Sequence, residues 1–388
     1  MMLADGKGAG RVRQQLKYFK ELDLYIILIV LGLAVFSYVG IAGAAPGAGY
    51  AQRQMIWYGI GFFVMAVMLF IDYSFFRLMA PAFYIVGLLL LAGLHVLGVE
   101  KKGALSWYAL PGGIQFQPAE LMKIFYILML AWYFSMREEK GQGLDRLQDL
   151  LVPFLLLAVP LVLILQQPDL GTALVLISIT GFMLIAAKIR WQHVLILLLL
   201  LALLVASLAG IYYWDRDLFF KLIKPHQWNR LISFINPEAV TADLRYQMEQ
   251  SLIAVGSGQL TGKGLFQGTQ GKYQWVPEVH SDFVFTVIAE EHGFVGASLL
   301  LLLFFVLLYR LFLIAAEAKD SFGVYVIMGI VGMWIFHILE NVGMTIQLMP
   351  ITGIPLPFIS YGGSSLLTNF IALGLVLNIG MRRKKLMF

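Results

Sequence analysis

The residues of this chain best suited to chemistry are carboxylates that stand where a polar segment meets an apolar run. Asp282 lies in Val276-Pro277-Glu278-Val279-His280-Ser281-Asp282-Phe283, at the end of a long polar stretch. Asp169 lies in Gln167-Pro168-Asp169-Leu170-Gly171-Thr172, Glu120 opens another apolar run with Lys123 three residues on, and Glu290 and Glu291 follow Asp282 by two helical turns. A carboxylate held at the edge of a low-dielectric region has a perturbed proton affinity and can serve as a general base. Other chemistries lack their residues. Without cysteine there is no disulfide, thiolate nucleophile or thiolate metal site. No HExxH or GxSxG occurs, so zinc hydrolysis and serine-triad acyl transfer have no support. The stretch from Gly258 to Gly264 resembles a phosphate loop, but its glycines are one residue too close and no Ser or Thr follows Lys263.

Each carboxylate also has a plain structural role open to it. Asp169 suits a helix N-cap. Glu120 and Lys123 have the spacing of an ion pair, and a lone charge at membrane depth costs about 2.5–3.5 kcal/mol on insertion scales, so each needs such a partner. Glu290 and Glu291 read as cavity or helix-packing groups. Asp282 is least well explained as a cap, because Glu278 and His280 flank it and a segment with six glycines in 256–271 precedes it. Candidate substrate contacts are His280, Ser360, Trp107 and the cations Lys101, Lys102, Lys263, Lys272 and Arg245.

The elements that must position these groups are membrane helices. Of 388 residues 60% are hydrophobic and only 13% charged, with a mean hydropathy of +0.81, too little polar surface to coat a water-soluble globule. Apolar runs at 23–43, 54–71, 78–98, 118–134, 149–166, 171–187, 191–213, 283–309, 322–345 and 364–381 predict ten transmembrane helices in one all-α polytopic domain covering 1–388. Ala42-Gly43-Ala44-Ala45 mimics a signal-peptidase site, but the long apolar run before it favours a retained anchor. With the N-terminus inside, the inner segments hold 17 Lys and Arg against ten outside, seven of these in the single long loop 214–282. Both termini are therefore expected in the cytoplasm, and the polar motifs on the outer face of the cytoplasmic membrane. The net charge of +5 is accounted for by this bias, which removes the argument for nucleic acid. In the outer loop, 217–235 has the makeup of a helix lying among lipid headgroups, 244–255 reads as a short helix and 256–271 as a chain of turns. Two prolines and two glycines in Ile354-Pro355-Leu356-Pro357-Phe358-Ile359-Ser360-Tyr361-Gly362-Gly363 forbid a continuous helix and predict a re-entrant loop.

Gln167-Pro168-Asp169-Leu170-Gly171-Thr172, Gly256-Ser257-Gly258, Pro277-Glu278-Val279-His280-Ser281-Asp282-Phe283 and Gly353-Ile354-Pro355-Leu356-Pro357-Phe358-Ile359-Ser360-Tyr361-Gly362-Gly363-Ser364 together resemble the signature blocks of the SEDS family, which includes RodA, FtsW and SpoVE. The resemblance spans roughly residues 20–385, and Gly268-Thr269-Gln270 with the short termini resembles the RodA branch. Ser281 stands where the family usually has Thr, and Ser106 where an Arg commonly precedes the Trp.

The resemblance implies glycosyl transfer from lipid II, an undecaprenyl-diphosphate disaccharide-pentapeptide, to growing peptidoglycan in cell elongation. It places the family's essential Asp on Asp282 and its Trp on Trp107. It further implies a class B penicillin-binding transpeptidase and other elongation-complex membrane proteins as partners. Forming a β-1,4 bond from an α-linked diphosphate inverts the sugar, which calls for one carboxylate base and cations at the leaving diphosphate. Asp282 suits the first role and the lysines the second, with a divalent cation (Mg or Mn) as a further candidate and no diagnostic metal site. Lipid II flippase and catalytically silent scaffold are the competing readings. Concentration of the polar motifs on one face argues against a flippase, since alternating access needs a midplane site.

Overall fold

The computed structural model describes residues 18–383 except 102–103, 110, 114, 168, 224–227, 230–231, 233–240, 270–272, 274 and 276–277. Its helices are α1 Leu24–Ala44, α2 Tyr50–Phe70, α3 Tyr73–Leu97, α4 Pro118–Glu139, α5 Leu151–Gln166, α6 Leu170–Ala186, α7 Trp191–Trp214, the short α8 Arg216–Leu222, α9 Ala242–Ser257, α10 Val284–Ala316, α11 Ser321–Thr345 and α12 Gly363–Met381. Among the described residues nine helices are long and apolar enough to cross a membrane, and α6 is a shorter apolar helix of 17 residues. Helix is the state that satisfies backbone N–H and C=O internally where no water is available. Aspartates mark several starts: Asp23, Asp72, Asp169 and Asp320 each accept a backbone N–H from the first turn of α1, α3, α6 and α11.

The core lies where α11 packs against α4, α6 and α10, with α12 laid against α2 and α4. Most residues of α4, α11 and α12 are buried, whereas only His193 of α7 is. Both described chain ends come to one end of the bundle, where Arg310 bonds Asp23, Arg382 approaches Asp72 at 3.2 Å and Arg383 approaches Glu317 at 2.6 Å. A cavity of about 480 Å³ at this terminal end, lined by Arg137, Glu138, Asp145, Lys188 and Tyr325 among others, lies far from the polar motifs.

Three local features depart from the sequence reading. The segment 99–116 is a small antiparallel sheet ordered β1 Val99–Lys101, β2 Ala104–Ala109, β3 Gln115–Phe116, with Val99 opposite Trp107 and Tyr108 opposite Phe116. The headgroup helix expected over 217–235 ends at Leu222, because Ile223 is extended. Most of its remainder lies outside the described residues.

The third departure is in α10, which breaks at Gly293 (φ 63°, ψ −161°), a conformation accessible essentially to glycine alone. The backbone groups freed by the break are taken up by the glycine-rich loop. Phe294 and Val295 N–H donate to the carbonyls of Gln259 and Leu260 at 2.8 and 3.1 Å, and Lys263 and Gly264 N–H donate to those of Glu290 and Glu291 at 3.0 Å each. A Cβ on Gly293 would lie 2.3 Å from the Gly262 nitrogen, so the two chains meet backbone to backbone. Glu290 and Glu291 therefore sit in a buried half-helix before the break, not two turns into a continuous span.

Candidate active site

Residues 351–362 run as non-helical backbone between α11 and α12 and are largely buried. Backbone at this depth needs a partner for every polar group, and side chains from three helices supply them. From α1 and α2, Ser37 donates to Ile359 O (2.8 Å), Gln54 to Ser360 O (3.1 Å) and Tyr58 to Phe358 O (2.6 Å). From α11, the His337 ring nitrogen Nδ1 meets Pro355 O at 3.0 Å, Thr352 Oγ1 donates to Glu340 (2.8 Å), and Asn341 donates to Ile354 O (2.8 Å).

Asp282 sits against this braced loop at the start of α10, half-buried. Its N–H bonds Glu278 O at 3.1 Å and its own carbonyl accepts from Asn341 at 2.8 Å. Gly353, with φ +74°, presents bare backbone to the carboxylate: a Cβ there would lie 3.2 Å from Asp282 Oδ2. His280, two residues before, stacks face to face on Tyr50 (centroids 4.2 Å, planes 4° apart), and its ring lies 3.8 Å from the Glu278 carboxylate. Tyr361 N–H donates to His280 O and closes the segment onto the loop.

The block that carries Asp169 and Gly171 meets the same loop, whereas Gly258 packs against the backbone of Ala289 in α10. Asp169 caps α6 through Thr172 N–H at 2.9 Å and accepts a bond from Gln117 at 3.3 Å. Gly171 is so close to Ile354 that a Cβ would fall 2.7 Å from its Cγ1. Ser106, beside Trp107 in β2, donates to Gln167 O at 3.3 Å, and Gln117 N–H donates to Ser364. Trp107 itself is half-buried in the sheet at this end.

Deeper in the bundle, Lys123 Nζ lies 2.9 Å from Glu120 and 3.1 Å from His337 Nε2, all three side chains being buried. His337 thus joins the Glu120–Lys123 pair to Pro355. Ammonium can only donate and a carbonyl can only accept, so His337 bridges them as the neutral ring with its proton on Nδ1.

Several candidates occupy other posts. Ser360 is 4% exposed, accepts from Leu356 N–H (2.8 Å) and donates to Ser281 O (2.5 Å), which braces the loop to the Asp282 segment. Lys263 places its ammonium 2.6 Å from Glu290, which also accepts from Thr269 N–H at 2.9 Å. Glu291 accepts from Gly268 N–H at 3.4 Å. Both glutamates therefore anchor the glycine-rich loop. Arg245 forms a half-exposed pair with Glu249 on α9 at 3.2 Å. Lys102, Lys272 and the side chain of Lys101 lie outside the described residues. Among the described residues no cluster of three His, Cys, Asp or Glu is placed to hold a metal ion.

Sequence reasoning missed His337, Glu340 and Asn341. They were legible as the only polar triad spaced i, i+3, i+4 inside the apolar run 322–345, where polar groups at membrane depth mark function or packing.

Comparison with known proteins places this arrangement among relatives. Residues 6–385 match the family model of FtsW, RodA and SpoVE, described as cell cycle protein. The peptidoglycan glycosyltransferase MrdB of Escherichia coli K12 is 34% identical over 368 residues, covering 94% of this chain and 95% of that protein. The stage V sporulation protein E of Bacillus subtilis 168 is 35% identical over 372 residues, covering 92% and 96%. A solved structure described as structural coordination of polymerization and crosslinking by a peptidoglycan synthase complex aligns with a TM-score of 0.79 at 31% identity, over 94% of this chain and 99% of that one. The rod shape determining protein RodA of Thermus thermophilus aligns with a TM-score of 0.68 at 30% identity, over 94% and 98%.

Proposed function

We infer the function of this chain from the premise that it belongs to the SEDS family of FtsW, RodA and SpoVE, and is a multi-pass membrane peptidoglycan glycosyltransferase. Its reaction is the polymerisation of lipid II into β-1,4-linked glycan strands on the outer face of the cytoplasmic membrane, with both termini in the cytoplasm. The observation that carries this reading is the meeting of two separate sequence blocks, those that carry Gly171 and Asp282, on one braced loop that is itself a third, with the Asp282 carboxylate at its edge.

Asp282 acts as the general base that takes the proton from the acceptor 4-hydroxyl as its oxygen attacks the anomeric carbon of the donor. The bond from that carbon to the diphosphate breaks, and undecaprenyl diphosphate leaves. Lys101, Lys102 and Lys272 are the cations proposed to neutralise it, with Arg245 and Lys263 as more distant contributors to the field and His280 and Trp107 beside the substrate path. A divalent cation, Mg or Mn, is proposed as a counter-ion of the diphosphate.

Elongation is the cellular role proposed, on the likeness to MrdB and RodA. The equal likeness to a sporulation protein favours a second reading, that the same chemistry serves a septum-like wall. The neighbour described as a synthase complex supports a class B penicillin-binding transpeptidase as partner, as does the glycine-rich loop packed on the break in α10. The whole chain forms one membrane domain in this reading.

The test is to give purified protein lipid II in liposomes, with and without a partner transpeptidase whose active-site serine is replaced. Long glycan strands, stimulated by the inactive partner, support polymerase and partner together. Movement of lipid II across the bilayer without strands identifies a flippase, and neither activity a scaffold. Full activity of the isolated chain would leave the partner a recruiting role only.

A further inference from the structure

Asp282 holds its carboxylate against Gly353, yet both residues sit in irregular backbone with no helix or sheet ladder to fix them. The side chain of Asn341 spans the gap between them. Asn341 of α11 is fully buried, and its one amide nitrogen donates to Asp282 O and to Ile354 O, each at 2.8 Å. These two carbonyls belong to the base itself and to the residue after Gly353. Both amide hydrogens are used, and both acceptors are main-chain atoms that cannot rotate away.

The choice of residue is chemically narrow. An Asp at 341 would turn an acceptor toward two acceptors, Leu would offer no donor, and Gln would push the fork one methylene too far. The orientation of the amide follows from its partners, since only the nitrogen can face two carbonyls. Its Oδ1 has no hydrogen-bond partner among the described residues.

We propose that Asn341 is the positioning residue of this transferase, a two-pronged amide that sets the distance between the Asp282 backbone and the Gly353–Ile354 backbone and so aims the carboxylate at the acceptor hydroxyl. Glu340 and His337 on the same face hold Thr352 and Pro355 and keep the far side of the loop from yielding. The assignment rests on Asp282 being the base.

The molecule contains its own control. Asn378 in α12 is also fully buried and also donates one amide nitrogen to two main-chain carbonyls, Met68 O at 2.6 Å and Ile71 O at 2.5 Å, but at the terminal end of the bundle. Loss of either fork leaves two main-chain carbonyls unmet, and Asn378→Leu also removes the acceptor of Arg382, so both variants, Asn341→Leu and Asn378→Leu, should lower the melting temperature. Only the first should move catalysis. A misplacement of about 1 Å can cost about 10²-fold in rate, so Asn341→Leu should lower kcat for strand synthesis by about 10- to 100-fold with KM for lipid II nearly unchanged, while Asn378→Leu keeps the parental kcat.

Asn341→Ser, which retains one hydroxyl donor, carries the same readout should the Leu variant fail to fold, and its kcat should fall between. Equal kcat for the Asn341 and Asn378 variants would overturn the proposal and leave Asn341 a packing residue. Asp282→Asn, assayed alongside, separates the two claims. If it stays active the base assignment has failed, and if it is inactive while the Asn341 variants are not, only the positioning role has failed.

Discussion

The two ends of this helical array use different residue types and hold together in opposite ways. At the terminal end, charged side chains pair with each other near the surface: Arg77 with Glu139 at 2.6 Å, Arg137 with Asp149 at 2.8 Å, Arg383 with Glu317 at 2.6 Å. At the site end, buried Ser37, Gln54, Tyr58, His337 and Asn341 meet main-chain carbonyls instead. Exposed pairs contribute about 0–1 kcal/mol each and tolerate exchange. A buried carbonyl stripped of its donor costs about 1–3 kcal/mol, and its donor also fixes a position. The terminal end is therefore built to close the bundle, and the site end to hold a particular backbone path.

The comparison can be broken by asking which substitutions unfold the protein. The largest loss should come from Glu120→Ala, which leaves Lys123 charged, buried and beside His337. Breaking one side of a buried pair costs about 3–5 kcal/mol. Glu120→Ala combined with Lys123→Ala should recover much of that in thermal melts in detergent. A double variant as unstable as the sum of the singles would show that the two charges are not coupled.

Gly293→Ala comes next. The residue sits where only glycine is at ease, and a Cβ would strike the Gly262 nitrogen. About 1–3 kcal/mol should be lost, with protease cutting appearing first in the glycine-rich loop that supplies the broken helix with partners. An unchanged melt and an uncut loop would mean that the loop does not depend on the break.

Arg77→Ala should do least among the structural changes, about 1 kcal/mol or below, with normal strand synthesis, because its pair with Glu139 is partly exposed. A large loss of activity there would erase the distinction between the two ends.

How much of this was open to the sequence differs by region. The helices were legible because Leu, Ile, Val and Phe runs of membrane length admit one solution, and the starts agree within a few residues where an Asp caps the turn, as at Asp169. The Glu120–Lys123 pairing followed from spacing and from the cost of a lone charge. The break at Gly293 was hidden, because one glycine in a long apolar run looks like any other until a second chain needs its space. Residue type alone makes Lys263 and Ser360 candidate contacts, whereas their partners within the protein, Glu290 and the Leu356 and Ser281 backbone, are tertiary neighbours that no local pattern encodes. The role of Asn341 is not legible locally, because its two acceptors, Asp282 O and Ile354 O, belong to other segments.

Asp282→Asn tests the account most directly, because it should lie at the bottom of the stability ranking and far down in activity. Asparagine keeps the size of the side chain and leaves the backbone bonds from Asn341 and to Glu278 in place, while it removes the proton acceptor. Lipid II polymerisation in the presence of an inactive transpeptidase, measured as strand length and rate beside a melting curve of the same sample, gives both readings at once. The account predicts an unchanged melting temperature and a rate lower by about 10²–10⁴-fold, the usual contribution of a general base. Strand synthesis near the parental rate by the folded Asp282→Asn protein would contradict it.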